Sequence, residues 1–372
     1  MKRMTALLLI SWMISGCSND PSKTIIVVKR GDTGDGDTGD GDADADGDAD
    51  SDGDGDADTE VYDSDPYTSL DSDEACGEWE IALDIYASRL MILQDVSYSM
   101  AQGSPTKWEQ AREAMERILK TFSESRLIEF GLDAFPRNGY CGTSGPVVLD
   151  CAPDQDELIK DTLNNLDLED GTPLYRAIQN FTDPEYAPRF SDPDVDSYLV
   201  VLTDGRDVCG TDPDQTDVHG ATSDDLSLVT EELLVDQGIK TIAVGFGDEV
   251  DADQLDAIAR AGEAFDDYFI AADRDDLQQA FIDIVALTIR CSFDIDPEQV
   301  GDEEMDRDKV NFYFDAEILP MDDDCRLGKG WTWKNAERTE VEFCEEACNA
   351  LKYGEVIDIS GEFGCETKIM VK

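Results

Sequence analysis

An acidic, repetitive tract in the N-terminal part of this 372-residue chain restricts what that part can fold into. Residues 31–74 hold 17 Asp, two Glu and no Lys or Arg, and much of the segment alternates Asp with Gly, Ala, Thr or Ser. Such a segment has almost no apolar surface to bury, so burial cannot offset the entropy that ordering costs. We therefore expect an extended, disordered acidic linker over residues 18–75.

The overall charge limits the classes of partner. The formal net charge is −58, of which −39 lies outside the acidic tract. Binding to nucleic acid or to anionic lipid requires basic residues that neutralise phosphate, so the composition argues against both. Hydrophobic residues still make up 41% of the chain, which is enough to build a folded core elsewhere.

Part of the tract begins like a calcium-binding loop. Asp42, Asp44, Asp46 and Gly47 match the D-x-D-x-D-G start of an EF-type loop, which also needs a Glu at its twelfth position. Counted from Asp42, that position is Gly53. We therefore interpret the tract as a stalk with loosely bound Ca²⁺ rather than as an ordered calcium site.

The first seventeen residues, MKRMTALLLISWMISGC, have the form of a bacterial export signal. Lys2 and Arg3 precede an apolar run that is too short to span a membrane comfortably. The ending Ile-Ser-Gly-Cys17 resembles the lipobox of bacterial lipoproteins, in which the cysteine is acylated and becomes the mature N-terminus. We predict a lipid anchor at Cys17; an ordinary signal peptide is the alternative. Ser18 favours the outer membrane, with the protein either surface-exposed or facing the periplasm.

From about residue 81 onward, strand-like and helix-like patterns alternate. Strands are predicted at 89–94, 128–135, 198–203, 239–246 and 268–270, and helices at 107–122, 157–166, 174–181, 226–236, 252–261 and 276–289. This alternation predicts an α/β fold with an open, mostly parallel, Rossmann-like sheet and helices on both faces. Ligands of such sheets bind beyond the carboxyl ends of the strands.

Polar residues follow two of these strands and precede one helix. Asp95, Ser97 and Ser99 come after the first strand, Thr172 lies at a helix start, and Asp204 follows the third strand. Together they resemble the metal-ion-dependent adhesion site of the von Willebrand factor type A (VWA) domain. Taken singly, each residue has an ordinary structural explanation: the serines could cap a helix and Asp204 could lie in a turn. These explanations do not account for the whole set.

The resemblance implies a divalent cation at this edge of the sheet. Mg²⁺ or Mn²⁺ is expected, because carboxylates and hydroxyls are hard oxygen ligands. In the VWA family the residues matching Ser97 and Ser99 bind the ion directly, and in the high-affinity form the residue matching Thr172 does so too. Those matching Asp95 and Asp204 act largely through waters and hydrogen bonds. An acidic side chain of a protein or extracellular-matrix ligand would complete the coordination.

The nine cysteines beyond the predicted anchor indicate an oxidising compartment and one odd thiol. Cys141 and Cys151 bracket a short segment with two Gly, and we predict that they pair. Cys76 precedes the first strand and Cys291 follows the last helix, so they form a second predicted pair, because domain termini often lie close together. Cys209 is the expected unpaired cysteine, and the full connectivity stays open.

The patterns divide the chain into four segments: the lipoprotein signal at 1–17, the acidic linker at 18–75, a VWA domain at 76–290 and a C-terminal module at 291–372. The module holds five cysteines and short alternating stretches, which indicates a small β-rich, disulfide-containing unit.

Within the module, Cys348 and Cys365 are further disulfide candidates. The spacing Cys344-x-x-x-Cys348 lacks the nearby His that would favour zinc, so a disulfide scaffold is the better interpretation.

A loop beside the predicted metal edge carries Asp207, Asp212, Asp214 and Asp217 and ends at His219. We interpret it as a solvated insert and His219 as a surface residue. A second cation or a role in specificity is the alternative.

Motifs of the common enzyme classes, such as G-x-S-x-G, a Walker A loop or H-E-x-x-H, do not occur. We therefore predict a binding protein and not an enzyme: a membrane-anchored envelope lipoprotein whose VWA domain binds a protein or matrix ligand through its cation. The alternative is a periplasm-facing scaffold lipoprotein of an envelope complex with a structural metal.

Overall fold

The structure is a computed structural model that describes residues 27–29, 79–82, 87–122, 127–212, 219–295, 306–356, 358–364 and 366–369. The predicted export signal with Cys17, the acidic repeats, Cys76, Asp214, Asp217 and Cys365 lie outside the described residues. Within those ranges, helices that combine the length and the apolar character needed to cross a bilayer do not occur.

Strands and helices alternate through most of the chain. The strands are β1 (Val27–Lys29), β2 (Trp79–Ala82), β3 (Ser88–Asp95), β4 (Ile128–Phe135), β5 (Leu149–Ala152), β6 (Ser197–Thr203), β7 (Lys240–Phe246), β8 (Phe269–Ala271), β9 (Ser292–Asp294), β10 (Val310–Phe314), β11 (Glu317–Leu319), β12 (Trp331–Trp333), β13 (Glu340–Phe343) and β14 (Ile359–Phe363). The α-helices are α1 (Lys107–Phe122), α2 (Asp156–Asn165), α3 (Leu174–Gln179), α4 (Ser223–Gln237), α5 (Ala252–Gly262), α6 (Arg274–Thr288) and α7 (Glu345–Lys352).

The central sheet has the strand order β5-β4-β3-β6-β7-β8. Neighbouring strands are parallel except at one edge, where β5 runs antiparallel to β4. Helices cover both faces, and the region after α6 is β-rich and contains disulfides. The predicted fold class is therefore confirmed.

Strand β3 lies in the middle of this sheet, and all of its residues are buried. Successive side chains of a strand point to opposite faces. Leu90 and Ile92 accordingly pack in the cluster that contains residues of α1 and α6, whereas Met91 and Leu93 pack with residues of α3, α4 and α5. This two-sided burial explains the run of four successive apolar residues, 90–93, at the centre of the strand.

The region after α6 contributes all strands of one further antiparallel sheet, β12-β13-β9, and three strands of another, β1-β2-β14-β10-β11, in which β1 and β2 come from before β3 in the chain. Its core is aromatic: the ring of Phe312 meets those of Trp331 and Phe343 edge-on, with centroids 4.7 and 5.9 Å apart. These rings belong to the same hydrophobic cluster as residues of α1 and α6. The region therefore packs against one helical layer of the central domain.

Two elements, β5 and α7, were not predicted from the sequence. Strand β5 has four residues, including Asp150 and Cys151, which is too short for a clear apolar pattern. Helix α7 buries only Ala347, Cys348 and Leu351, in a segment that we expected to be β-rich throughout. The buried residues of α7 do recur at helical spacing, so that pattern was a usable signal, whereas β5 is defined by its antiparallel pairing with β4.

The disulfide bonds differ from the predicted pairs. The bonded pairs among the described cysteines are Cys141–Cys209, Cys291–Cys348 and Cys325–Cys344.

Three predictions about individual cysteines are wrong. Cys141 does not pair with Cys151, because Cys151 is a free thiol that β5 directs into the core, where its sulfur is fully buried. Cys209 is not the unpaired cysteine, and Cys291 pairs with Cys348 instead of Cys76. Cys348 is confirmed as a disulfide cysteine, and Cys344 forms a disulfide with Cys325.

We expect Gly262→Ala to destabilise the protein, although alanine normally favours a helix. Gly262 ends α5, and a Cβ there would lie 2.3 Å from the carbonyl oxygen of Thr241 in β7. Helix and sheet would have to separate, which lowers the free energy of unfolding by roughly 1–3 kcal/mol. Urea unfolding followed by circular dichroism measures the change. Gly205→Ala, whose Cβ would meet no atom within 4 Å, is the control and should leave the midpoint nearly unchanged.

Candidate metal site

The carboxyl ends of β3 and β6 bring two aspartates together. Asp95 is the last residue of β3, and Asp204 follows Thr203, the last residue of β6. These strands are parallel neighbours, so their carboxyl ends meet at one edge of the sheet. Both aspartates are buried there, at 0% and 1% exposure. Open α/β sheets bind their ligands at this edge.

A chain of hydrogen bonds connects four of the five predicted metal-site residues. The Ser97 amide donates to Asp95 Oδ1 over 2.8 Å, and the hydroxyl oxygens of Ser97 and Ser99 are 2.8 Å apart. The Ser99 hydroxyl in turn donates to Asp204 Oδ1 over 2.6 Å. Ser97 precedes a 3-10 turn, Tyr98–Ala101, but its side chain makes no capping bond. The serine hydroxyls therefore face the aspartates instead of capping a helix.

The Asp95 carboxylate is buried at a position where its ionised form is unfavourable. Burial, reinforced by the negative charge of Asp204, raises the pKa of Asp95 to about 6. Hydrogen bonds from Ser97 and from the Thr203 hydroxyl, which donates to Asp95 Oδ2 over 2.6 Å, oppose this shift. Positive charge between the two carboxylates would therefore lower the free energy of the site.

Thr172, the fifth predicted residue, lies on an adjoining loop and is buried. That loop is joined to the β3 edge by the Glu169 amide, which donates to the Val96 carbonyl over 2.9 Å, and to the β6 edge by the Val208 amide, which donates to the Thr172 carbonyl over 3.2 Å. Among the described residues, the Thr172 hydroxyl makes no hydrogen bond to the other four side chains. The backbone thus places Thr172 beside the cluster and not within its hydrogen-bond chain.

Sequence reasoning missed two residues of the site. Thr203 binds Asp95, and Lys107 places its Nζ 2.8 Å from Asp204 Oδ2. Thr203 directly precedes Asp204 in the chain, so its position at the strand end was a usable signal. Lys107 begins α1, and only the fold reveals that it reaches Asp204.

The acidic loop after β6 has a structural role at its first aspartate. Asp207 is buried, and its carboxylate accepts backbone N–H bonds from Cys209, Gly210 and Ala221 at Oδ1 and from Tyr175 at Oδ2. With both oxygens occupied in this way, Asp207 holds the loop closed and is not available to a second cation.

Two other residues of this loop, Asp212 and His219, are described, and His219 is exposed as predicted. Over the described ranges, groups of three or more His, Cys, Asp or Glu side chains placed to hold a metal ion do not occur. A cation at the β3–β6 edge would therefore depend on hydroxyls as well as carboxylates.

A family comparison identifies the domain that carries this cluster. The family model of the von Willebrand factor type A domain matches residues 90–282, which include all five residues of the predicted site. The chain belongs to the VWA domain family. A comparison with curated proteins found no match.

Solved structures similar to this VWA chain include three of low sequence identity. Proximal thread matrix protein 1 from the mussel byssus is 15% identical, with 56% of this chain and 49% of that chain covered and a TM-score of 0.39. The von Willebrand factor type A protein of Catenulispora acidiphila is 16% identical, covering 79% and 62%, with a TM-score of 0.40. The pilus adhesin SpaC of Lactobacillus rhamnosus GG is 13% identical, covering 77% and 41%, with a TM-score of 0.44. This chain spans about half of the first and less than two thirds of each.

A disulfide joins two of the loops around the candidate metal site of this VWA domain. Cys141 follows β4 in the chain and Cys209 follows β6. The bond packs on Gly171, where a Cβ would lie 2.7 Å from the Cys141 sulfur and 3.1 Å from the Cys209 sulfur. Because Gly171 directly precedes Thr172, the disulfide and the Thr172 loop support one another.

We expect the double variant Cys141→Ser, Cys209→Ser to loosen this edge, with faster amide hydrogen exchange in residues 137–144 and 205–210. The free energy of unfolding should fall by ~2–4 kcal/mol. The matched control is Cys325→Ser, Cys344→Ser, which removes a disulfide of the C-terminal region and should leave exchange in those two segments unchanged. Unchanged exchange in the first variant would contradict a supporting role for the Cys141–Cys209 bond.

Proposed function

We propose that the VWA domain binds a divalent cation, Mg²⁺ or Mn²⁺, at Asp95, Ser97, Ser99, Thr172 and Asp204. The observation that carries this proposal is the hydrogen-bonded cluster of two buried carboxylates and two hydroxyls at the β3–β6 edge. Oxygen donors of this kind suit a hard cation, and a divalent ion would offset the repulsion between the two carboxylates.

The chemistry of the five residues and the family pattern assign them two different roles. The hydroxyls of Ser97, Ser99 and Thr172 would bind the ion, and Asp95 and Asp204 would hold the hydroxyls and neutralise its charge. The ion would supply a Lewis-acidic position for an anionic group of a partner. The proposed activity is therefore binding and not catalysis.

Exposed residues beside the site support a protein or matrix ligand. Tyr98, between the two serines, is 60% exposed, and Tyr140, next to Cys141, is 68% exposed. Val208, next to Cys209, is 36% exposed, and Arg206 is exposed as well. Tyrosine and arginine are enriched among the residues that dominate protein–protein binding energies. These residues place aromatic, apolar and basic groups on the loops around the site, a composition that suits an acidic side chain flanked by apolar residues.

The acidity of the protein does not prevent such a contact. Charges more than about 8 Å apart are largely screened at physiological salt. The distant acidic residues therefore repel an acidic ligand only weakly, while the cation and Arg206 act at short range.

We further propose that the protein is a bacterial envelope lipoprotein, anchored through Cys17 and displayed at the outer membrane by the acidic linker. The support is the sequence of residues 1–17 and the composition of residues 31–74. Each acyl CH₂ buried in the membrane contributes ~0.8 kcal/mol, so several acyl chains give firm anchoring. The linker would hold the VWA domain away from the membrane.

Isothermal titration of Mg²⁺ or Mn²⁺ into the metal-free protein tests the site. We expect Ser99→Ala to weaken binding by about tenfold or more, because the hydroxyl donor is lost while Asp95 keeps its bonds to Ser97 and Thr203. Asp95→Ala should weaken it further. Asp253→Ala, which removes an exposed carboxylate of α5, is the control and should bind as the unchanged protein does.

The same variants test the link between cation and ligand. Envelope extracts passed over the immobilised protein should yield partners with Mg²⁺ that are lost with EDTA and with Ser99→Ala. Partners that persist under both conditions would contradict the adhesion mechanism and favour a scaffold with a structural metal.

We expect Cys17→Ala to abolish labelling by a fatty-acid analogue and to release the protein from the membrane fraction. Brief protease treatment of intact cells should remove the VWA domain of the unchanged protein. Protection until the outer membrane is permeabilised would contradict surface display, and unchanged labelling of the variant would contradict the anchor.

A further inference from the structure

Lys107 lies at the candidate metal site although no adhesion-site pattern includes it. It is the first residue of α1, and its Nζ is 2.8 Å from Asp204 Oδ2. The Lys107 side chain is 14% exposed and that of Asp204 is 0% exposed, so the pair is shielded from water. Such an ion pair is screened much less by salt than a surface pair.

The neighbouring strand provides the space that the lysine occupies. Gly247 follows β7, and a Cβ there would lie 3.0 Å from Lys107 Cε and 3.3 Å from its Nζ. Its φ of +92° is also one that residues with a side chain rarely adopt. The Gly247 amide donates to the Ala271 carbonyl over 2.8 Å, which joins this turn to β8. A glycine thus leaves room for the lysine to reach Asp204.

The helix itself gains nothing from a lysine at this position. The N-terminal end of a helix carries partial positive charge, so a cation in the first turn is unfavourable there. Acidic residues are the usual choice, and Glu109 occupies the same turn. The contact with Asp204 is therefore the favourable interaction that accounts for Lys107.

We propose that the positive charge of the Lys107 side chain tunes the affinity of the metal site for its cation and for an anionic ligand. This inference rests on the proposed function. The Lys107 charge opposes a divalent cation at Asp204 and so lowers metal affinity. Once the metal is bound, the same charge leaves the site more positive and favours an anionic ligand group. With Lys107, two carboxylates, one ammonium and a divalent ion carry a net positive charge; without it they are neutral.

Two possible roles of Lys107, acting through its charge or holding Asp204 in position, predict different effects of substitution on metal binding. If Lys107 acts by its charge, removing that charge strengthens metal binding. If it only holds Asp204 in place, a variant that keeps an N–H donor binds metal as before, and one that keeps no donor binds it more weakly. Lys107→Gln keeps a donor without the charge, Lys107→Met keeps neither, and Lys107→Arg keeps both.

The test is a titration of Mn²⁺ into the full chain, with free Mn²⁺ measured by electron paramagnetic resonance. We expect Lys107→Gln and Lys107→Met to bind Mn²⁺ about tenfold more tightly than the unchanged protein. Lys107→Arg should bind as the unchanged protein does. Lys120→Met is the matched control, because Lys120 is an exposed lysine of the same helix, and it should change nothing. Equal or weaker binding by Lys107→Gln would overturn the inference.

Two further measurements keep the inference separate from folding and from the proposed function. Thermal unfolding in EDTA should show both uncharged variants folded but less stable than the unchanged protein, with the loss recovered by Mn²⁺. On the Mn²⁺-saturated proteins, glutarate should bind more weakly to Lys107→Gln than to the unchanged protein. If neither protein binds Mn²⁺, the proposed function fails; if both bind it equally, only the role of Lys107 fails.

Discussion

The candidate metal site is organised around one buried charge, the carboxylate of Asp95. Its two oxygens accept bonds from the Ser97 amide and the Thr203 hydroxyl, so one side chain joins the end of β3 to the end of β6. A charge removed from water is costly unless it is hydrogen-bonded and paired. Asp204 beside it adds a second negative charge, and the serine hydroxyls together with Lys107 are the groups that offset both. The two buried carboxylates make this edge of the sheet a favourable position for a positive charge.

The loops that surround this edge are tied to one another as well as to the sheet. The Cys141–Cys209 disulfide joins two of them and packs on Gly171 of the third, and Asp207 closes the loop after β6 through four backbone N–H groups. A site whose groups are held before a ligand arrives loses less entropy on binding. The exposed tyrosines at 98 and 140 therefore lie on loops that are held in place, which is the physical basis for the proposed binding surface.

Local patterns predicted the central domain well. Helix α1 and strand β4 have the predicted bounds, and the D-x-S-x-S segment begins at the last residue of β3, the strand that holds the apolar run 90–93. These features depend on burial periodicity and on hydrogen-bond chemistry between near neighbours in the chain. The disulfides were predicted poorly, because a pairing such as Cys141–Cys209 depends on loops that are 68 residues apart in sequence. Cys151 is closer to Cys141 in the chain, but the pleat of β5 turns its sulfur into the core.

The sequence by itself determined the alternation of strands and helices, the parallel sheet that follows from it, and the set of oxygen-bearing residues at the strand ends. Each of these follows from periodicity and residue type, which can be recognised over a few neighbouring positions of the chain. Only the tertiary structure decided that Thr203 completes the bonds of Asp95, that Lys107 reaches Asp204 past Gly247, and that Asp207 serves the loop and not a cation. Those roles depend on side chains that the packing of separate strands and helices brings within hydrogen-bond distance.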